Sequence, residues 1–195
     1  MTLQFDTNIF FSSDHHYGHS NIIKFCNRPF KNVKEMDDVL IDNWNNKVGK
    51  DDVIFHCGDF ALNGKADYIK WLLSSLNGKI YLCKGSHDKA VLKKEWARER
   101  FEDIQWYYEI EILDNVSCKL QKISLMHFPM RTWGKSNWGS YQLFGHIHSG
   151  SYNTSSSERN MKLSPNQLDV GVDAHNFTPL SYNEVKLIIE KQNKL

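Results

Sequence analysis

Five short apolar or aromatic runs punctuate the chain, each closed by polar or glycine residues: NIFFSS (8–13), DVIFHC (52–57), KIYLCK (79–84), KISLMH (122–127) and YQLFGH (141–146). Their length and composition predict buried strands. Between them the apolar period lengthens to that of a helix. VKEMDDVLIDNWNNKV (33–48) sets Met36, Val39, Leu40, Asn43 and Trp44 on one stripe, and KADYIKWLLSSL (65–76) does the same with Tyr68, Ile69, Leu72 and Leu73. Alternation of strand and helix predicts an α/β layered fold. Further on, WYYEIEIL (106–113) and CKLQKISLMH (118–127) flank DNVS, the pattern of a hairpin in a second, more antiparallel sheet. Ser181 and Glu184 stand at capping-box spacing ahead of VKLIIEK, which predicts a last helix. The stretch 149–167 is polar, serine-rich and aperiodic, and reads as a long surface loop or a functional one.

Composition narrows the class. A chain of 195 residues fits one domain, 1–195, with enough length to bury a layered core. Lys plus Arg at 24 nearly balance Asp plus Glu at 23, so there is no strong sign of duplex nucleic-acid binding and any nucleic-acid contact must be local. Cys26, Cys57, Cys83 and Cys118 form no C-x-x-C pair and lie in or beside apolar stretches, which speaks for reduced thiols rather than a disulfide framework. The start lacks the pattern of a secretory leader, and no run approaches the roughly 18 apolar residues that span a bilayer. A soluble, cytoplasmic protein is expected, with its oligomeric state left open.

Chemistry gathers where the runs end. They finish in SDHHYGH, HCGDF, KGSHD, LMHFP and FGHIHSG, each placing Asp or His just past the apolar segment. In an α/β sheet the carboxyl ends of strands face a shared crevice, so one metal site accounts for all five. His56, inside VIFHC, and His175, in VDAHNF, have plainer readings as a core and a loop histidine. On extended chain, side chains two apart point the same way, so Asp14 with His16, and His146 with His148, can approach one centre. Imidazole and carboxylate donors without thiolates suit manganese, iron, zinc, cobalt or nickel better than calcium; the donors do not choose among these, and manganese is the ion expected.

Asp14-x-His16, Gly58-Asp59, Gly85-Ser86-His87-Asp88, His127 and Gly145-His146-x-His148, in this order, resemble the motif series of the calcineurin-like metallophosphoesterases. The wider phrases DHHYGHSNIIKFCNRPF, EMDDVLIDNWNNKV and LMHFPMRTW are similar to the small, uncapped bacterial and phage members. The resemblance implies a four-layer α-β-β-α sandwich of two mixed β-sheets flanked by helices. It implies two divalent metal ions, one held by Asp14, His16 and His148, the other by His127 and His146, with Asp59 bridging. It further implies phosphoester hydrolysis by in-line attack, with His87 protonating the leaving oxygen and Asp88 orienting it. His19 and Arg28 are the candidates for substrate phosphate contacts.

At Ser86 the chain departs from the asparagine that the family pattern carries as a second-metal ligand. A water filling the gap, a weakly bound second metal and an impaired variant are the three readings. The substrate implied is a small, nucleotide-like phosphodiester, with Phe30, Trp133, Trp138 and Tyr141 as aromatics that stack on a base or pack beneath the loop. A phosphomonoesterase or protein phosphatase, and a metal- or phosphate-binding module without turnover, are the alternatives.

Overall fold

The computed structural model describes residues 9–149 and 162–194, so most of the 149–167 stretch lies outside the described residues. Four parallel strands make the centre of the first sheet: β1 (Ile9–Ser12), β2 (Val53–His56), β3 (Lys79–Cys83) and β4 (Phe101–Gln105). The two-residue β9 (Leu180–Ser181) adds antiparallel to β1, giving the order β4-β3-β2-β1-β9. The second sheet runs β5 (Tyr107–Asp114), β6 (Lys119–Met126), β7 (Tyr141–Phe144), β8 (Gln167–Asp169). β5 and β6 pair antiparallel, whereas β6, β7 and β8 are parallel. The result is an α/β sandwich of two mixed sheets, the architecture that the resemblance implies.

Period-two patterning explains why the sheets stack. Ile9, Phe11, Val53 and Phe55 point into a core shared with Tyr108, Ile110, Ile123, Leu125 and Leu143 of the second sheet. Phe10, Ile54, Ile80 and Leu82 point the other way, onto α2 (Val33–Lys47) and α3 (Ala66–Ser75) through Met36, Leu40, Trp44, Ile69 and Leu72. Both faces of β1 and β2 at the centre of the first sheet are therefore apolar, and these strands read as unbroken runs rather than alternations. The last helix, α6 (Tyr182–Gln192), carries the predicted capping box of Ser181 and Glu184 and sends Val185 and Ile189 into the inter-sheet core.

Local signals set the ends of elements. Asn32 caps α2 by accepting from the Glu35 N–H, and the Asp114 carboxylate accepts from the Val116 and Ser117 N–H groups to close the predicted hairpin. Three short helices escape the periodicity: α1 (Ser20–Phe25), α4 (Lys89–Leu92) and α5 (Glu95–Arg98). So do β4, β8 and β9, whose two to five residues carry too few apolar positions to declare a period.

Candidate metal centre

Parallel pairing brings the site together. β1, β2 and β3 run the same way, so the segments that follow them emerge at one end of the first sheet. Those segments remain laced past the strands: Asp14 N–H donates to the Gly58 carbonyl and His16 N–H to the Asp59 carbonyl, both at 3.0 Å. β6 and β7, also parallel, deliver His127 and His146 to the same crevice, and the Gly145 N–H bonds the His127 carbonyl.

The backbone there is bent hard. Asp14, His16, Asp59, His146 and His148 all adopt positive φ, between 47° and 71°. Side-chain-bearing residues in this region cost of order 1–3 kcal/mol each, and such strain persists where surrounding structure imposes it, typically at functional sites. The glycines make room for it. A Cβ on Gly85 would run into the Asp59 backbone, and one on Gly145 into the Asp14 carboxylate and Ser13.

At the centre stands Asp59. Its Oδ2 lies 3.6 Å from His16 Nε2, 3.5 Å from His127 Nε2 and 3.9 Å from His87 Nε2. Asp14 Oδ1 is 4.0 Å from His16 Nε2 and 3.8 Å from His148 Nε2. Asp14 belongs to two donor groups, one with His16 and His148 and one with Asp59 and His127, each with its ligating atoms within 4.8 Å of one another; Cys26, His148 and Asp173 form a third. The His146 ring stands 5.1 Å from that of His127, and the His146 backbone N–H donates to Asp14 Oδ2.

Divalent cations fit these donors. Asp14 Oδ1, His16 Nε2 and His127 Nε2 are buried and have no hydrogen-bond partner among the described residues, an arrangement costly unless something cationic meets them. Burial, with the Asp169 and Asp59 charges adding to it, pushes the Asp14 carboxyl up to about 7, and burial with the neighbouring His148 and Arg28 holds His16 well below 6.5, which leaves its imidazole neutral. Outer partners aim the rings. The His127 Nδ1–H donates to the Cys57 carbonyl at 2.9 Å, which turns its Nε2 lone pair toward Asp59. His148 Nδ1 is bonded to Asp173 at 2.7 Å and approached by Cys26 Sγ at 3.4 Å. Burial lowers the His148 pKa, but those two bonds together with the Asp14 and Asp173 charges outweigh it and raise the group to about 11.

The matching model of the calcineurin-like phosphoesterases covers residues 7–168. The chain belongs to that family. It is 34% identical over 184 residues, 94% of this chain and 92% of the relative, to the uncharacterized protein MJ1445 of Methanocaldococcus jannaschii. It is 27% identical to the Gene 66 protein of Mycobacterium phage D29, over 89% of this chain and 92% of that one. A crystal structure of a protein of unknown function, AQ665 from Aquifex aeolicus, shares the fold with a TM-score of 0.67 at 23% identity, covering 94% of this chain and all of that one. Membership in the calcineurin-like family supports a metal-dependent phosphoesterase. No helix among the described residues is long and apolar enough to cross a membrane.

Within this family frame, the structure places five residues differently from the expectation of a role at the site. Arg28 was expected to contact substrate, yet its side chain is buried and all its donors are spent inside the protein. Nε and one terminal nitrogen grip Asp173 at 2.8 Å, that same terminal nitrogen also bonds the Asp14 carbonyl, and the other terminal nitrogen bonds the His15 carbonyl and Met36 Sδ. Asp88 was expected to orient His87, but its buried carboxylate accepts from the Gly85, Asp59 and Phe60 N–H groups and so ties two site loops together. Tyr141 is buried and Phe30 packs on Phe177, which removes both from the crevice. Trp138 is exposed, but beside Leu120 and Gln121 at the end of β6 opposite His127.

The remaining candidates are placed as follows around the crevice. His19 is half-buried, its ring 5.5 Å from His16 and 6.4 Å from His87, and Ser86 and His87 are both exposed at the rim. His56 is fully buried, the core histidine that its place inside the run predicts. The sequence reading missed Asp173 and Asp169. The signal was present in LDVGVDAH, two aspartates flanking a short apolar run, but nothing local says that Asp173 meets His148 or that Asp169 holds the Ser149 and Gly171 N–H groups.

Proposed function

We propose that the protein is a phosphodiesterase acting on nucleotide-like substrates with two divalent metal ions, manganese first among them, in a reducing cytoplasm. The observation that carries the reading is Asp59, flanked within 4 Å by His16, His127 and His87 beside Asp14, which two donor groups share. On this reading Asp14, His16 and His148 hold one cation, His127, His146 and Ser86 the other, and Asp59 bridges. Such a pair supplies Lewis acidity toward phosphate oxygens and lowers the pKa of water. His87, half-exposed beside Asp59, delivers a proton to the leaving oxygen, and the neighbouring His19 contacts the phosphate. Phe25, exposed on α1 with its ring 6.1 Å from that of His19, offers a planar face for a base. The free, mostly buried thiols of Cys26, Cys57 and Cys83 suit a reducing compartment.

Turnover of p-nitrophenyl phosphate and bis-p-nitrophenyl phosphate with added manganese tests the reading. Faster hydrolysis of the diester is expected. Preference for the monoester would make it a phosphomonoesterase, and full metal content without turnover of either would make Ser86 the mark of a binding module. Asp59→Ala should lose bound metal by elemental analysis; full content would remove it from the bridging role.

A further inference from the structure

Next to Ser86 the surface becomes locally basic although the whole chain carries a formal charge of only +1. Lys89 and Lys93 stand one helical turn apart on and just after α4, on the same face. Each borders two hollows that also share Ser86. One, of about 310 Å³, reaches toward His87 and Leu62. The other, of about 570 Å³, is closed by Lys84, Arg98, Leu92, Ile104 and Trp106. Lys89, Lys93 and Arg98 are exposed and make no ion pair with a carboxylate among the described residues. Asp88 is the one carboxylate in the lining, and its oxygens are turned inward to backbone N–H groups.

Trp106 forms the far wall. It is 59% exposed, and Lys84 Nζ sits 5.4 Å from its ring centroid. Cations spaced along a groove match a phosphate backbone, and an exposed indole between them matches an unpaired base, which a duplex does not offer. We infer that this groove binds a single-stranded oligonucleotide, holding the nucleotides on the His87 side of the phosphate that reacts at the metal centre. The inference rests on the phosphodiesterase reading for that phosphate, while the groove itself stands on Lys84, Lys89, Lys93, Arg98 and Trp106. An acidic peptide would meet the same cations but would have no use for the ring.

Fluorescence anisotropy of a labelled hexathymidylate on the full chain, with chelator present so that no strand is cut, tests it. Trp106→Ala should weaken binding about five- to hundredfold. Lys93→Ala should weaken it too and lower the slope of log affinity against log salt by about 0.7, the share of one single-strand phosphate. Lys34→Ala, an exposed lysine on α2, serves as the control. Unchanged affinity in Trp106→Ala and Lys93→Ala, no binding by the parent, or equal competition from polyglutamate or duplex DNA would overturn the inference. Turnover of bis-p-nitrophenyl phosphate by the parent is scored separately. A parent that binds the strand through Trp106 but leaves that diester intact defeats the phosphodiesterase reading and not the groove. One that cleaves it while strand binding ignores Trp106 defeats the groove and not the reading.

Discussion

Asp173 bonds His148 Nδ1 at 2.7 Å while Arg28 grips both of its oxygens at 2.8 Å. Through its other N–H groups the same guanidinium holds the carbonyls of Asp14 and His15, so one buried arginine sets the positions of two ends of a donor group. Outer partners of metal-bound histidines fix the tautomer and orientation that present the lone pair, and their loss typically costs 10–100-fold in metal affinity or activity. Asp173→Ala should therefore lose about that much affinity by calorimetric metal titration. Arg28→Lys should lose affinity as well, because a point charge cannot reproduce the fork on Asp173. Full metal affinity in both would reduce this array to a packing device.

His87→Ala should keep its metal yet slow turnover selectively. General acids contribute roughly 10²–10⁴-fold where the leaving oxygen is basic and little where it is not. Loss on an alkyl ester should exceed loss on a nitrophenyl ester. Equal loss on the two would take His87 out of proton transfer and leave it, at 3.9 Å from Asp59, as an electrostatic neighbour.

The turn that carries Ser86 is held beside Asp59 by its neighbours. The Gly85 N–H bonds Asp88, and the His87 N–H bonds Asp59 Oδ1 at 2.8 Å, which presses this turn against the Asp59 loop. A serine side chain is shorter than the asparagine of the family pattern, and oxygen or nitrogen ligands bind at only about 2.0–2.2 Å. Ser86→Asn should raise occupancy of the cation on the His127 side, and raise activity at limiting metal more than at saturating metal. Two equally tight sites, unchanged by the substitution, would show that serine suffices.

Acid should weaken the metal-free fold through a buried histidine pair. His56 Nδ1 accepts the Gly58 N–H, so its Nε2–H donates to His15 Nδ1 at 2.9 Å and both rings are neutral. Burial, with His127 adding to it, holds His56 down at about 3. The unfolded chain takes up a proton near 6.5 that the folded one refuses, so this stability is complete above that pH and falls as pH drops toward 3. The slope is up to about 1.4 kcal/mol per pH unit for each such group. Denaturant midpoints between pH 7.5 and 5 should show it, and His56→Gln, which keeps an N–H toward His15, should flatten it. An unflattened slope would place the acid-sensitive group elsewhere.

The longer strands and helices and the gathering of Asp14, His16, Asp59, His127 and His148 were legible in the chain itself, whereas the short elements α1, α4, α5, β4, β8 and β9 were not. Apolar runs mark the strands, parallel strands send the segments after them to one end, and polar residues just past each run must then meet. What each polar side chain does there was decided only by tertiary structure. Arg28 and Asp173 are 145 residues apart, and nothing near either shows that the arginine's donors are consumed by the protein. Asp88 and Trp106 teach the same lesson in opposite senses: one turns inward to backbone N–H groups, the other outward onto a basic groove. Period and composition say whether a residue is buried. The direction of its hydrogen bonds depends on which distant segment the sheet order places beside it, and that is set by the packing of the whole chain.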